Sequence, residues 1–132
     1  NYKNGRLDDS YLKYYENGQL EFEGNYKNGR LDGSLFFYYL NGQLQSETNY
    51  KNGKAHGTYL KYYENGQIEK QVNYKNDKIE GPYTAYYENG QPGHQGHYKN
   101  NEREGLWIFY SYNGDILVKY DFSSGGDFVP FN

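Results

Sequence analysis

Aromatic and aliphatic positions recur along this chain at a fixed interval of 24 residues, separated by polar turn-forming residues. One tyrosine position returns at residues 2, 26, 50, 74 and 98, and Phe122 follows in the same phase. Self-similarity at a constant period indicates a repeat architecture. The pattern predicts five tandem copies over residues 1–120 and a degenerate sixth copy over residues 121–132, which we expect to cap the array.

Two turn signals lie in each copy. The first is Asn-Gly at Asn4–Gly5, Asn28–Gly29 and Asn52–Gly53, and becomes Asn76–Asp77 and Asn100–Asn101, residues that tolerate left-handed geometry. The second is Asn-Gly beginning at residues 17, 41, 65, 89 and 113. Asn-Gly favours a two-residue hairpin loop, and the intervening segments are rich in Tyr, Phe, Leu and Ile. The sequence therefore predicts an all-β fold, an elongated single-layer antiparallel meander of repeated β-hairpins.

The predicted loops assign side chains to faces. A two-residue loop at Asn17–Gly18 pairs Tyr15 with Leu20 and Tyr11 with Gly24, and one at Asn28–Gly29 pairs Gly24 with Gly33. The shared first face collects apolar residues, among them Tyr11, Tyr15, Leu35, Tyr59, Tyr83 and Trp107. We expect Gly33, Gly57, Gly81 and Gly105, on the same face, to let aromatic rings lie on bare backbone.

The second face carries a row of tyrosines beside apolar residues, interleaved with Glu21, Glu23, Glu47 and Glu69. Equivalent residues of successive copies lie two strands apart, roughly 9.6 Å. Packing within the sheet accounts for each tyrosine taken singly, but an aromatic row on an uncovered sheet is typical of an interface. The candidate binding residues are Tyr14, Phe36, Tyr38, Leu60, Tyr62, Tyr86 and Tyr110.

The last full copy breaks the alternation of apolar and polar positions. Residues 106–109 and 116–118 are apolar on both predicted faces. We expect the tail, with Phe122, Phe128 and Phe131, to fold back over this end. A homodimer or partner interface through the C-terminal repeat is the alternative.

Composition limits the classes of partner. Large rings from 19 tyrosines supply the apolar area that the few aliphatic residues do not. The 14 basic and 17 acidic residues are spread along the chain and give a net charge of -3, which argues against nucleic acid as a partner. No apolar run is long enough to form a transmembrane segment and no signal peptide is visible, although the chain begins at Asn1 without Met, so a removed leader stays open. The absence of cysteine fits either a reducing compartment or a secreted bacterial protein.

No constellation of residues predicts catalysis. His94 and His97 would point to opposite faces of a strand, and no third ligand accompanies them, so no metal and no other cofactor is expected. Carboxylates recur at equivalent positions of several copies, as at Asp8, Asp32, Glu80 and Glu104, which favours a structural role over one tuned acid–base pair. The sequence predicts that the protein is not an enzyme.

Two segments carry a resemblance to a known family. YKNGRLDGSLFFYYLNGQL at residues 26–44 and YKNGKAHGTYLKYYENGQI at residues 50–68 resemble the bacterial variant of the MORN repeat, and the resemblance covers residues 1–120. It implies an elongated single-layer sheet used for protein contacts and sometimes proposed to touch lipids. Bacterial members are often assigned as antitoxin or immunity proteins, which function in the cytoplasm.

Two functional hypotheses follow from the sequence. The first is protein binding, extending to inhibition of a toxin or effector, because the aromatic row and acidic balance suit a basic partner. The second is a carbohydrate or cell-wall binding protein at the cell surface, because tyrosine-rich short repeats also occur in choline-binding and glucan-binding modules. Those modules use more tryptophan than the one residue present here.

Overall fold

The strands follow one another along the chain in alternating direction. A computed structural model describes residues 2–3, 6–7, 9–124 and 127–129. The strands are β1 Tyr2–Lys3, β2 Arg6–Leu7, β3 Asp9–Tyr14, β4 Leu20–Lys27, β5 Arg30–Tyr38, β6 Leu44–Lys51, β7 Lys54–Ala55, β8 Gly57–Tyr62, β9 Ile68–Lys75, β10 Lys78–Tyr86, β11 Pro92–Lys99, β12 Glu102–Tyr110, β13 Ile116–Asp121 and β14 Asp127–Phe128. A 3-10 helix, Phe122–Ser124, is the only helix among the described residues, which include none able to cross a membrane.

The strands from β3 to β14 form a single open sheet whose spatial order is the chain order, with β7 paired to β6 just ahead of β8. Every pairing is antiparallel. Strands β1 and β2 pair separately, with Tyr2 facing Leu7, and the turn predicted at Asn4–Gly5 lies outside the described residues. The predicted all-β meander of hairpins is confirmed.

The loop at Asn28–Gly29 has the predicted two-residue form. Asn28 and Gly29 have φ of 55° and 79°, and Lys27 faces Arg30 across the loop. A loop of this kind needs two successive residues at positive φ, which Asn and Gly adopt most readily. Asn76–Asp77 and Asn100–Asn101 also have positive φ at both positions, so the prediction that these altered turns persist is confirmed.

The loop at Asn17–Gly18 differs from the prediction. The Tyr15 amide donates to the Gln19 carbonyl at 2.8 Å and only Gly18, with φ of 90°, is left-handed, so the loop has three residues. A type I turn followed by one left-handed residue is the common three-residue hairpin loop. The predicted Tyr15–Leu20 pair is therefore wrong. A bulge beyond the loop then restores the predicted register, in which Tyr11 faces Gly24.

The predicted role of Gly33 is also wrong. Gly24 faces Leu35 rather than Gly33, because the register between β4 and β5 shifts by two residues. Gly33 has φ of 96°, and the nearest group to a Cβ placed on it is the Asn25 side chain at 3.8 Å, not a ring. Its equivalents Gly57, Gly81 and Gly105 also have positive φ. These glycines allow the backbone to bulge, a conformation that residues with a Cβ rarely adopt.

The core centres on one row of first-face side chains that crosses the sheet, with Leu35, Thr48, Val72 and Trp107 buried in it and Ser46 and Ala55 buried beside it. We call β3, β5, β8, β10 and β12 the outgoing strands and β4, β6, β9, β11 and β13 the return strands. Bulky residues of the outgoing strands alternate with smaller residues of the return strands as far as β12. In order the row contains Tyr11, Gly24, Leu35, Thr48, Tyr59, Val72, Tyr83, Gly96, Trp107 and Tyr120. Trp107 is 0% exposed. Its ring lies on Gly96, where a Cβ would be 2.2 Å from ring atom Cδ2, so the ring on bare backbone occurs at a glycine other than those predicted.

Successive copies are joined by recurring hydrogen bonds at both ends of the strands. At the three-residue loops the Tyr39 hydroxyl donates to the Tyr62 carbonyl at 2.6 Å, and Tyr15, Tyr63 and Tyr87 make the equivalent bond. At the two-residue loops the Asp77 amide donates to the Ala55 carbonyl at 2.9 Å, and the Ala55 amide donates to the Asp77 carboxylate at 2.7 Å. Asp77 therefore gains a bond that glycine lacks the side chain to make.

The tail covers part of the last copy. Phe122 packs against Trp107 with ring centroids 6.2 Å apart, and the Arg103 guanidinium lies over both rings, at 4.8 Å from Trp107 and 5.5 Å from Phe122. Strand β14 extends the sheet edge through its pairing with β13. Leu106 and Leu117 remain exposed, and Phe131 lies outside the described residues.

Candidate binding surface

The predicted binding residues lie on one face of the sheet in two parallel rows. The first row alternates residues of outgoing and return strands: Leu12, Glu23, Phe36, Glu47, Leu60, Gln71, Thr84, Gln95, Ile108 and Lys119. The second contains Tyr14, Tyr38, Tyr62, Tyr86 and Tyr110, two residues further along the same outgoing strands. Residues two apart in a strand share a face. We call the outgoing-strand residues of both rows the tyrosine stripe.

Two glutamates predicted for this face belong elsewhere. Glu21 and Glu69 occupy the bulges that follow the three-residue loops, and their carboxylates lie 3.9 Å and 3.3 Å from the Lys13 and Lys61 ammonium groups. Both lysines project from the first face, where Lys13 faces Phe22. The bulge is the reason, because an extra residue interrupts the alternation on which the prediction depended.

Hydrogen bonds orient some of the rings in the stripe. The Tyr38 hydroxyl donates to the Glu23 carboxylate at 3.0 Å, and the Gln95 amide donates to the Tyr110 hydroxyl at 3.2 Å over the same residue spacing. Partial burial, followed by the hydrogen bond and charge of Glu23, raises the pKa of Tyr38. Burial and the nearby Glu47 raise the pKa of Tyr62. Tyr38 and Tyr62 are therefore protonated at neutral pH.

The stripe is partly open to solvent. Tyr14 is 55% exposed, and the side chains of Phe36, Tyr38, Leu60 and Tyr62 are half-buried. Half-buried rings pack against their own sheet with one side and can contact another molecule with the other. The polar residues between them change from Glu23 and Glu47 to Gln71 and Gln95 and end at Lys119, so the acidic end of the stripe is the N-terminal one.

Potential metal ligands are dispersed. Among the residues that the structure describes, no group of three His, Asp or Glu side chains could hold a metal ion. His94 stacks between Tyr83 and Phe109 on the first face. His97 faces Glu104 on the opposite face. His56 is on neither row, and its Nδ1 atom is buried without a hydrogen-bond partner.

The repeat unit seen in the structure matches a known family model. Residues 10–28, 31–52, 55–76 and 79–100 each match the model described as MORN repeat variant, and each match ends at the asparagine of a two-residue loop. Repeats of this kind are non-catalytic modules implicated in binding. No curated protein sequence matches the chain.

Proposed function

The chain belongs to the MORN repeat variant family, and from this premise we propose that it is a protein-binding module whose tyrosine stripe contacts the partner. The observation that carries the proposal is the stripe itself, in which five equivalent tyrosines and their apolar neighbours share one partly exposed face. Tyrosine supplies large contact area at low cost in side-chain entropy, which is why binding surfaces are rich in it.

The repeat geometry suits an extended contact. A partner lying across the strands meets an equivalent tyrosine roughly every 9.6 Å. Each ring adds a similar increment, so binding strength grows with the number of copies engaged. The hydrogen bond from Tyr38 to Glu23 holds one ring in place before binding, which reduces the entropy lost on association.

Charge indicates which protein partner fits. Glu23 and Glu47 lie between residues of the stripe in its N-terminal half, and the whole chain has a net charge of -3. A basic surface complements this end, and complementary charge accelerates association and excludes acidic competitors. Inhibition of a basic toxin or effector, by covering its surface, is the finer form of the proposal.

The test uses capture from the native lysate with a variant and a matched control. The triple variant Tyr38→Ala, Tyr62→Ala and Tyr86→Ala removes three central rings of the stripe. The control variant, Leu40→Ala and Tyr112→Ala, removes two exposed apolar side chains outside it. We expect a protein recovered by the wild type and control to be lost with the triple variant. Equal recovery by all three proteins would show that the tyrosine stripe does not contact the partner.

Carbohydrate is the second candidate because half-exposed tyrosine rings of this kind offer flat faces on which a sugar ring can stack. Glycan-array and cell-wall sedimentation assays with the same three proteins separate the candidates. A glycan bound by wild type and control but not by the triple variant would replace protein as the ligand. Binding of a protein partner with no retained glycan keeps the proposal as stated.

A further inference from the structure

A groove lies on the first face, opposite the tyrosine stripe, over the fourth copy and between the third and fifth. Its volume is about 440 Å³, within the range of small ligand pockets. Rings form most of its walls, and two small residues lie among them. Its lining includes Tyr63, Tyr83, Ala85, Tyr87, His94 and Phe109.

The groove exists because the fourth copy has small residues at two positions where the other copies have large ones. The position of Ala85 is filled by Lys13, Phe37, Lys61 and Phe109 in the other copies, and that of Gly93 by Glu21, Gln45, Glu69 and Leu117. In the first and third copies these positions form the ion pairs Lys13–Glu21 and Lys61–Glu69. The fourth copy leaves the same space open.

The chain itself shows which group fits this space. Phe37 and Phe109 occupy the position equivalent to Ala85, and each packs its ring against the residue facing it in the preceding strand, tilted by 35° for Phe37 and stacked at 19° for Phe109. The ring centroids are 5.4 Å apart for Phe37 and Phe22, and 5.2 Å apart for Phe109 and His94. A ring placed over Ala85 would lie between its two strand neighbours, Lys70 and His94.

Both neighbours favour an aromatic occupant. His94 is already part of a stack, with centroids 5.6 Å from Tyr83 and 5.2 Å from Phe109. Offset stacking adds attraction beyond the burial of area, which an aliphatic group does not obtain. Lys70, whose ammonium lies 6.0 Å from the Tyr59 ring centroid, supplies a cation beside the vacant position.

We propose that this groove is a recognition pocket for one aromatic side chain of a partner polypeptide. A single ring makes few contacts with the open groove, so we expect the chain that carries it to supply the remaining contacts. The groove is open, with exposed Leu117 among its lining residues, so it can admit a side chain from outside. The pocket opens on the first face, opposite the tyrosine stripe, although Tyr86 and Tyr110 of the stripe are also among its lining residues. Ala85 and Leu117 belong to the pocket and not to the stripe, so they report on the pocket separately.

The first test is nuclear magnetic resonance titration of the Ala85 methyl group with N-acetyl-tyrosinamide and N-acetyl-leucinamide. The tyrosine probe places a ring over Ala85, so we expect an upfield shift that saturates with a Kd on the order of 5 mM. The leucine probe is expected to bind at least about fivefold more weakly. Equal affinity of the two probes, or an unmoved Ala85 methyl group, would overturn the proposal.

Two variants test whether the missing side chains create the pocket. Ala85→Phe introduces the residue found at Phe37 and Phe109, so the sheet is expected to accommodate it. Followed through the Leu117 methyl groups, this variant should bind the tyrosine probe at least about tenfold more weakly. The pair Phe37→Ala and Gln45→Gly should create a second site in copy two. Unchanged binding by the first variant, or no new site in the second, contradicts the proposal.

A blocked pentapeptide of alanines with a central tyrosine tests the polypeptide source. Its backbone adds contacts at the rim, so we expect it to bind at least about threefold more tightly than N-acetyl-tyrosinamide. An affinity equal to that of the single residue would assign the pocket to a free aromatic molecule instead.

Discussion

Two clusters of rings, three copies apart, have the same geometry but different burial. In the N-terminal cluster Tyr11 and Phe22 have centroids 5.4 Å apart at 29°, and in the C-terminal cluster Tyr83 and His94 are 5.6 Å apart at 29°. Tyr11 is 41% exposed, whereas its equivalent Tyr83 is half-buried and lies beside the fully buried Trp107. Ring spacing therefore follows from strand register, while burial depends on the residues that cover the rings.

The residues that make this difference are few. Both regions have a glycine at the equivalent row position, Gly24 and Gly96. A Cβ on Gly24 would be 2.8 Å from a Leu35 methyl carbon, and one on Gly96 would be 2.2 Å from the Trp107 ring. Trp107 is also covered by Phe122 and Arg103. The core row thus crosses the whole sheet but is exposed at Tyr11 in the first copy and fully covered at Trp107 in the last.

The largest expected effect comes from truncating the two side chains that lie over these glycines, Trp107 and Leu35. Trp107→Ala should lower the free energy of unfolding by about 3–5 kcal/mol, the usual range for a fully buried large ring. Leu35→Ala, at the equivalent position, should lower it by about 2–3 kcal/mol because fewer contacts are lost. Urea unfolding followed by circular dichroism measures both. A loss at Leu35 equal to that at Trp107 would remove the distinction between the two ends.

Adding one methyl group at the glycines tests the same contrast by overpacking. Gly96→Ala forces a rigid ring off the backbone and should cost about 2–3 kcal/mol of unfolding free energy. Gly24→Ala meets the end of a flexible leucine side chain, which can rotate, so we expect a loss below about 1 kcal/mol. The same unfolding experiment compares them. Equal losses would show that the Trp107 ring moves as freely as the Leu35 side chain.

The tyrosine hydrogen bonds between copies should contribute equally to stability at both ends of the sheet, despite the difference in burial. Tyr15 and Tyr87 donate to the carbonyl groups of Tyr38 and Tyr110, each at 2.7 Å. Tyr15→Phe and Tyr87→Phe should each lower the unfolding free energy by about 1 kcal/mol, the usual net value of such a hydrogen bond. A much larger loss at Tyr87 would show that burial at the C-terminal end strengthens the bond.

The smallest expected effect is a pH dependence confined to the C-terminal cluster. Burial, and then the positive charge of Arg103, lowers the pKa of His94. The groove around it also contains Glu69, Lys70 and Tyr83. The unfolded chain therefore binds the proton first, and the stability contributed by neutral His94 is lost as pH falls below about 6.5 toward the lower folded pKa. The variant His94→Phe, which copies Phe22, should lose this dependence in unfolding experiments between pH 7.5 and pH 5.

The sequence was sufficient to predict the meander and the faces of the apolar residues, because the Asn-Gly loops and the spacing of those residues agree, but it misplaced Glu21 and Glu69, which lie in bulges. It was not sufficient at Asn17–Gly18, where a two-residue loop and a three-residue loop are both compatible with the sequence. Glycine was also ambiguous. Gly33 and Gly96 look alike in the sequence, but only the backbone shows that the first has positive φ and the second lies beneath a ring.

The predicted binding residues occupy one face, as the spacing indicated, and their role in binding remains a prediction. The groove on the first face was not predicted. Its only signal in the sequence is the departure of Ala85 and Gly93 from the residues of the other copies. The sequence alone does not show that these two residues are neighbours, because Gly93 lies in a bulge where side chains no longer alternate regularly between the faces. The strand register is needed to place it beside Ala85.

The three-residue loop and the bulge that follows it cancel, since Lys13 and Phe22 are in the phase that a two-residue loop would produce. The edge strand at the end of each copy therefore has the same alternation of side chains as the edge strand on which that copy began. A gene encoding such a chain can gain or lose units of 24 codons without altering the hydrogen-bonding pattern of the remaining units. Deletion of one codon in the loop, by contrast, would invert every later side chain of that hairpin.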